Sequence, residues 1–148
     1  MNDIAQCKVS LWFIGETLDP DELAQWLEHP AAYEIRKDEI YRSKGGEEMV
    51  AGTGRFQITS GWQTGKSVER QITQLLAQVP DEDALWQRIN SRFSGEVVCG
   101  LILDSVNEEL RLSTDILAAL SRRGLSLLLD IYDSGDGPIP SAISNVRN

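Results

Sequence analysis

The segment SGWQTGKS, Ser60 to Ser67, has the residue types that come nearest to a phosphate-binding loop. Such a loop needs glycine, four residues, then Gly-Lys-Ser/Thr, because successive backbone N–H groups wrap the phosphates while the lysine reaches them. Here only three residues separate Gly61 from Gly65, Ser60 stands where the motif wants glycine, and Trp62 puts a bulky indole inside the turn. The expectation is a plain connection from a strand to a helix. Carboxylates offer a second chemistry. Asp104, Asp130 and Asp133 close hydrophobic runs, where a pair could hold a divalent cation or share acid/base work. They stand without HxH, HExxH or CxxC neighbours, and strand-end solvation accounts for them. His29, the single histidine, falls where a helix should end and suits the negative end of the helix dipole. Cys7 and Cys99 lie in strand patterns with too few companions for a zinc site, so both are expected as buried reduced thiols. No serine sits in a GxSxG elbow. No catalytic residue, metal set or cofactor is therefore assigned.

The elements that must position these residues follow from periodicity. Cys7 to Gly15 alternates, with Cys7, Val9, Leu11 and Phe13 forming the purer apolar face. Asp19 is the N-cap of the next helix, Pro20 its first residue, Glu22 the partner of a capping box, and Leu18 with Leu23 a hydrophobic staple. Leu23, Trp26 and Leu27 give its buried stripe, and His29-Pro30 its end. Ala31 to Gly54 is polar and irregular, a hairpin with a strand near Tyr33 to Tyr41 and a long mobile connection. Arg55 to Thr59 reads as a strand with Phe56 and Ile58 on its buried face. Ser67 caps a helix whose stripe is Val68, Ile72, Leu75, Leu76 and Val79, stopped by Pro80. Asp81 caps a third helix, with Leu85, Trp86, Ile89 and Phe93 facing inward and Ser94-Gly95 ending it. Glu96 to Asp104 is the strongest strand. Ser113 caps a fourth helix, with Leu112 and Leu117 as its staple, Arg122 and Arg123 in its last turn and Gly124 just beyond. Leu125 to Tyr132 is the last strand.

Two β-α-β units joined by a helical middle predict an α+β fold: a ferredoxin-like two-layer sandwich, a mixed sheet of about five strands with helices mainly on one face. The alternative is a doubly wound sheet, which the alternating strand at Arg55 disfavours. One domain is expected over residues 6–134, with a flexible tail at 135–148, where Gly, Pro and Ser dominate without periodicity. Apolar content of 41% and charged content of 25% place the chain among soluble globular proteins. The opening residues lack a basic segment followed by an apolar core, so a cytoplasmic address is expected. A net charge of −9 disfavours nucleic acid and anionic membrane, both of which attract basic surfaces, and suits a basic partner.

LDPDELAQWL after the first strand, the strand ending in SGW before a helix, and the last helix running into GLSLLLDIYD together resemble a bacterial family catalogued only as domain of unknown function 4279. The resemblance spans Lys8 to Tyr132 and is weakest over Ala31 to Gly54. It brings no catalytic or ligand residues, and the GKS of Gly65 to Ser67 is not one of its features.

If helices cover the odd-numbered face of the first strand, the opposite face displays Lys8, Ser10, Trp12 and Ile14, then Arg55, Gln57 and Thr59, then Val98 and Ile102, then Ser126, Leu128, Asp130 and Tyr132. Aromatic rings, aliphatics and both signs of charge on one open sheet make an interaction surface. Lys8, Ser10, Trp12, Arg55, Gln57, Asp130 and Tyr132 are the expected contacts for a protein partner or for self-association as a homodimer. The competing expectation is that the loop or the tail covers this face. Two functions follow: a non-enzymatic binding module, inhibitor or immunity protein among the possibilities, and a small-molecule or metal-dependent enzyme built on the strand-end aspartates.

Overall fold

The computed structural model describes residues 4–104 and 108–133; the expected tail at 135–148 lies outside them. The elements are β1 (Ile4–Gly15), α1 (Pro20–Leu27), β2 (Tyr33–Ile35), β3 (Ile40–Arg42), β4 (Glu48–Val50), β5 (Gly54–Gln63), α2 (Val68–Leu76), α3 (Asp83–Arg92), β6 (Ser94–Leu103), α4 (Thr114–Arg122) and β7 (Leu125–Asp133). Five strands form a mixed sheet in the order β2-β5-β1-β6-β7, and β3 with β4 forms a separate hairpin. The fold of the described residues is α+β, with four helices. β1 runs antiparallel to both β5 and β6, β2 antiparallel to β5, and β7 parallel to β6. β1 and β2 therefore run parallel with β5 between them, whereas β6 and β7 are joined directly by α4.

Alternation in β1 decides which face is buried. Cys7, Val9, Leu11 and Phe13 join Phe56, Ile58, Val97, Cys99 and Leu101 in a core completed by all four helices, including Leu23, Leu27, Ile72, Leu75, Trp86, Ile89 and Leu120. Phe13 stands at its centre, 6.4 Å from Phe56 and 6.1 Å from Trp86 between ring centroids. Trp86 is fully buried, and its indole N–H donates to the Pro80 carbonyl at 2.9 Å, so the one polar atom of the largest core residue is satisfied.

The helix starts at Asp19, Ser67 and Ser113 form as expected, each side chain accepting from a first-turn amide. Two caps differ. The Glu22 carboxylate does not complete a capping box; it pairs with Arg92 of α3 at 3.1 Å. α3 begins one residue late, with Glu82 at its cap and no side-chain bond there, because Asp81 is drawn off by Arg122 and Arg123 at 2.7 Å each. Of the expected Leu112 and Leu117 staple, Leu112 packs partly buried against the core while Leu117 is 48% exposed. Gly124 follows α4 at φ 68°, where a Cβ would sit 2.2 Å from Asn90 Nδ2. Only glycine fits that turn.

The Ala31 to Gly54 region resolves into three short strands, and the expected strand from Tyr33 to Tyr41 is broken at Arg36. Arg36 is tied at 2.6 and 2.7 Å to Asp19 and Asp21 at the start of α1. Beyond it, β3 and β4 pack on each other and only marginally on any other element.

Candidate binding face of the sheet

The expected strand ending at Thr59 continues to Gln63, and the reason is a bulge. Ser10 pairs with Thr59 but Lys8 pairs with Trp62, so β5 carries an extra residue opposite Val9. Gly61 takes the left-handed conformation the bulge requires, φ 74°. The Val9 amide, displaced from the regular ladder, donates to Ser60 Oγ at 3.1 Å. Without the extra residue, Trp62 would point into the core. With it, the indole turns to the opposite face.

What remains of the phosphate-loop lookalike is a four-residue connection, Thr64 to Ser67. Lys66 Nζ donates to Gln74 Oε1 along α2, at 3.3 Å, and Ser67 is the α2 cap. This is the plain strand-to-helix turn expected from the spacing.

Register sorts the face away from the helix-side core into cross-strand rows. Tyr33, Gln57, Trp12, Glu96 and Ser126 form one row; Thr59, Ser10, Val98 and Leu128 the next; Trp62, Lys8, Gly100 and Asp130 the third; Gln6, Ile102 and Tyr132 the fourth. Arg55 lies beyond Gln57, paired with Ile14. All seven residues expected as contacts thus share one face. They do not share one environment. Ser10 is 5% exposed and donates to Thr59 Oγ1 at 3.0 Å, so it belongs to the floor; Lys8, Trp12, Arg55, Gln57, Asp130 and Tyr132 are half-buried. Trp12 and Gln57 are direct neighbours, whereas Asp130 and Tyr132 lie two strands from β1.

The third row is the most specific. Gly100 has no side chain, and the tip of the Trp62 indole takes the space, with Cη2 3.1 Å from where a Cβ would be. Lys8 stands on one side and Asp130 on the other. Asp130 Oδ2 accepts from Tyr132 Oη at 2.9 Å. Burial holds the Lys8 ammonium below its ordinary pKa of 10.5, because desolvation disfavours the charged form. Trp62, Gly100 and Gln6 were not among the contacts expected on this face from sequence. The signals were present: a glycine inside a strand marks a bulge or a close approach, and both Gly61 and Gly100 are such glycines.

The strand-end carboxylates are only partly brought together. Asp133 pairs with Leu103, one residue before Asp104, at the same end of the parallel β6–β7 pair. Asp130 lies three residues back and on the other face. Among the described residues, no three His, Cys, Asp or Glu are placed to hold a metal ion. Cys7 and Cys99 are buried and unbonded to each other; burial pushes the Cys7 thiol up to about 12 and raises that of Cys99 as well. His29 bridges two turns, its ring nitrogens 2.7 Å from the Pro30 carbonyl and 2.9 Å from Gln78 Oε1.

A family model described as Domain of unknown function (DUF4279) matches residues 5–134. The chain belongs to the DUF4279 family. Within this DUF4279 chain, the SGW stretch is the bulge that turns Trp62, and GLSLLLDIYD is Gly124 followed by β7, which carries Asp130 and Tyr132. No curated protein and no solved structure matches it. Among the described residues, no helix is long and apolar enough to cross a membrane.

Proposed function

We propose that this chain is a non-enzymatic binding module, built as a ferredoxin-like two-layer sandwich, that holds a protein partner or a second copy of itself on the open face of its sheet. The observation that carries the reading is the placement of two indoles, Trp12 and Trp62, on the face away from the helix-side core, interleaved with Lys8, Arg55 and Asp130. Half-buried aromatic residues among both signs of charge have the composition of an interface centre. Support for the ferredoxin-like reading comes from strand order. β2-β5-β1-β6 is the order two interlocked β-α-β units produce, with β7 added outside by a further crossover. The net charge of −9 favours a basic partner, as an inhibitor or immunity protein would have.

Trp12→Ala tests the reading. Association, measured by co-purification and by concentration-dependent sedimentation, should fall at least tenfold, with the melting temperature moving by no more than about 3 °C. A large loss of stability with association unchanged would refute it. The second reading, a divalent-metal enzyme, rests on Asp104 and Asp133 ending adjacent parallel strands. It expects magnesium or manganese to raise the melting temperature of the native chain but not of Asp133→Asn.

A further inference from the structure

The two edges of the main sheet are finished differently. On one side β2 is only three residues long, and the rest of β5 carries the bulge at Gly61. Short strands and bulges are devices that keep an edge from pairing with other chains. On the other side β7 runs nine residues against β6 in unbroken register, without proline or lysine, and among the described residues no strand pairs with its outer edge. Its first five residues, Leu125 to Leu129, are uncharged, and four of them are leucine. The helix above this edge has its charges on the far side. α4 turns Asp115 and Arg122 toward α2, where they line a groove with Thr73 and Leu76. Leu117 belongs to the other flank: with Leu103, Leu110, Leu129 and Ile131 it lines an open groove of about 390 Å³ beside β7, where Glu108 is the one polar member. Helical spacing puts Thr114 and Ser121, both uncharged, next to Leu117. Ile131 is 55% exposed. An unguarded strand edge beside an apolar groove is a surface built to be covered.

We propose that β7 pairs antiparallel with β7 of a second copy of this chain, about a two-fold axis through Leu128 perpendicular to the sheet. The two five-stranded sheets then become one, with both helix layers on the same side. A contact of this symmetry requires a strand complementary to its own reverse, and β7 is such a strand. Counting outward from Leu128, Leu127 meets Leu129, Ser126 meets Asp130 and Leu125 meets Ile131, the members of each pair sharing a face. On the helix side every pair is aliphatic, and each exposed Ile131 gains a leucine neighbour. On the open face the Ser126 hydroxyl is set opposite a carboxylate to which it can donate. Neighbouring registers lose these matches. An axis at Leu127 leaves Ile131 beyond the ladder, one at Leu129 sets Asp130 against Leu128, and one at Asp130 sets two carboxylates directly opposite, which is destabilising. The axis at Leu128 therefore joins two chains of net charge −9 without opposing like charges in the ladder. This contact is separate from the open-face reading above, because it uses the edge of the sheet and leaves Trp12, Lys8 and Arg55 uncovered.

Sedimentation of the full chain over a range of concentrations, joined to hydrogen exchange at β7, tests this. The native chain is expected to dimerise at tens of micromolar, and alternate amides between Leu125 and Ile131 should exchange at least tenfold more slowly in the dimer than at dilution. Ile131→Lys and Ser126→Asp, both at exposed positions, should each weaken the dimer at least tenfold with the melting temperature of the dilute chain unchanged. Ser126→Lys, which sets an ammonium opposite Asp130, should keep the dimer; loss equal to that of Ser126→Asp would overturn the axis at Leu128. A chain that stays monomeric at hundreds of micromolar overturns the proposal, and protection of the β7 amides in that monomer would assign the cover to residues beyond Asp133. A dimer indifferent to Ile131→Lys and Ser126→Asp but weakened by Trp12→Ala would also overturn it, and would leave the open-face reading standing.

Discussion

Gly100 and Trp62 show how much one absent side chain decides. An alanine at 100 would put its methyl 3.1 Å from the indole tip, and the ring must yield by a few tenths of an ångström. A valine would displace it. Gly100→Ala should therefore cost under about 1 kcal/mol by urea unfolding, and Gly100→Val about 1–3 kcal/mol, with a changed near-ultraviolet dichroism signal. Equal costs would mean that the ring does not depend on the glycine. The thiols give a second expectation. Cys7 is 1% exposed and Cys99 0%. With both pKa values raised, a disulfide reagent at pH 8 should label neither in the folded chain and both in urea. The cysteines were legible from sequence because alternation alone assigns their face. Trp62 was not, because a single extra residue in β5 reverses the parity of everything after it.

At the level of elements, what was legible is what is local. Asp19, Ser67 and Ser113 cap their helices through amides two or three residues away, so residue type and position suffice. The start of α3 was misplaced because its decisive contact comes from α4: Asp81 accepts from Arg122 and Arg123, more than forty residues on in sequence. The consequence is measurable in two ways. Ser113→Ala should cost about 1 kcal/mol and Glu82→Ala close to nothing, since only the first accepts a capping hydrogen bond. The two guanidinium groups, Arg122 first, hold the Asp81 carboxyl below its ordinary value of 3.8. A depressed folded pKa means the unfolded chain binds the proton more tightly, so this contribution is present above about pH 4 and lost as pH falls through the folded value. The stability gap between the native chain and Asp81→Asn should accordingly narrow on acidification below pH 4. A gap that widens would show that Asp81 is not held by the pair. Asp81 is exposed, and salt should shrink the gap too.

Across the whole molecule, the sheet order was only partly legible. Pairing of β1 with both β5 and β6 joins residues about fifty and ninety positions apart, and no local pattern encodes which strand takes the centre. The β-α-β echo at the two ends was visible, but not that β5 would split the first unit and leave the second intact. The same topology sets the last expectation. The β3–β4 hairpin, with Ile40 64% and Val50 62% exposed, packs on itself and carries the exposed Lys44 in its turn. A two-stranded hairpin without a packed face opens readily. Arg36, by contrast, is held by Asp19 and Asp21, and Lys37 pairs with Glu16 at 3.3 Å. Brief trypsin treatment should therefore cut first after Lys44. The cut leaves β1, α1 and β2 on one fragment and β5, β6 and β7 on the other. β1 is the central strand, held on one side by β5 and on the other by β6, so the fragments should co-elute in buffer and separate only in denaturant. Separation in buffer, or a first cut within α2 or β6, would mean that the central strand is not held from both sides as the register requires.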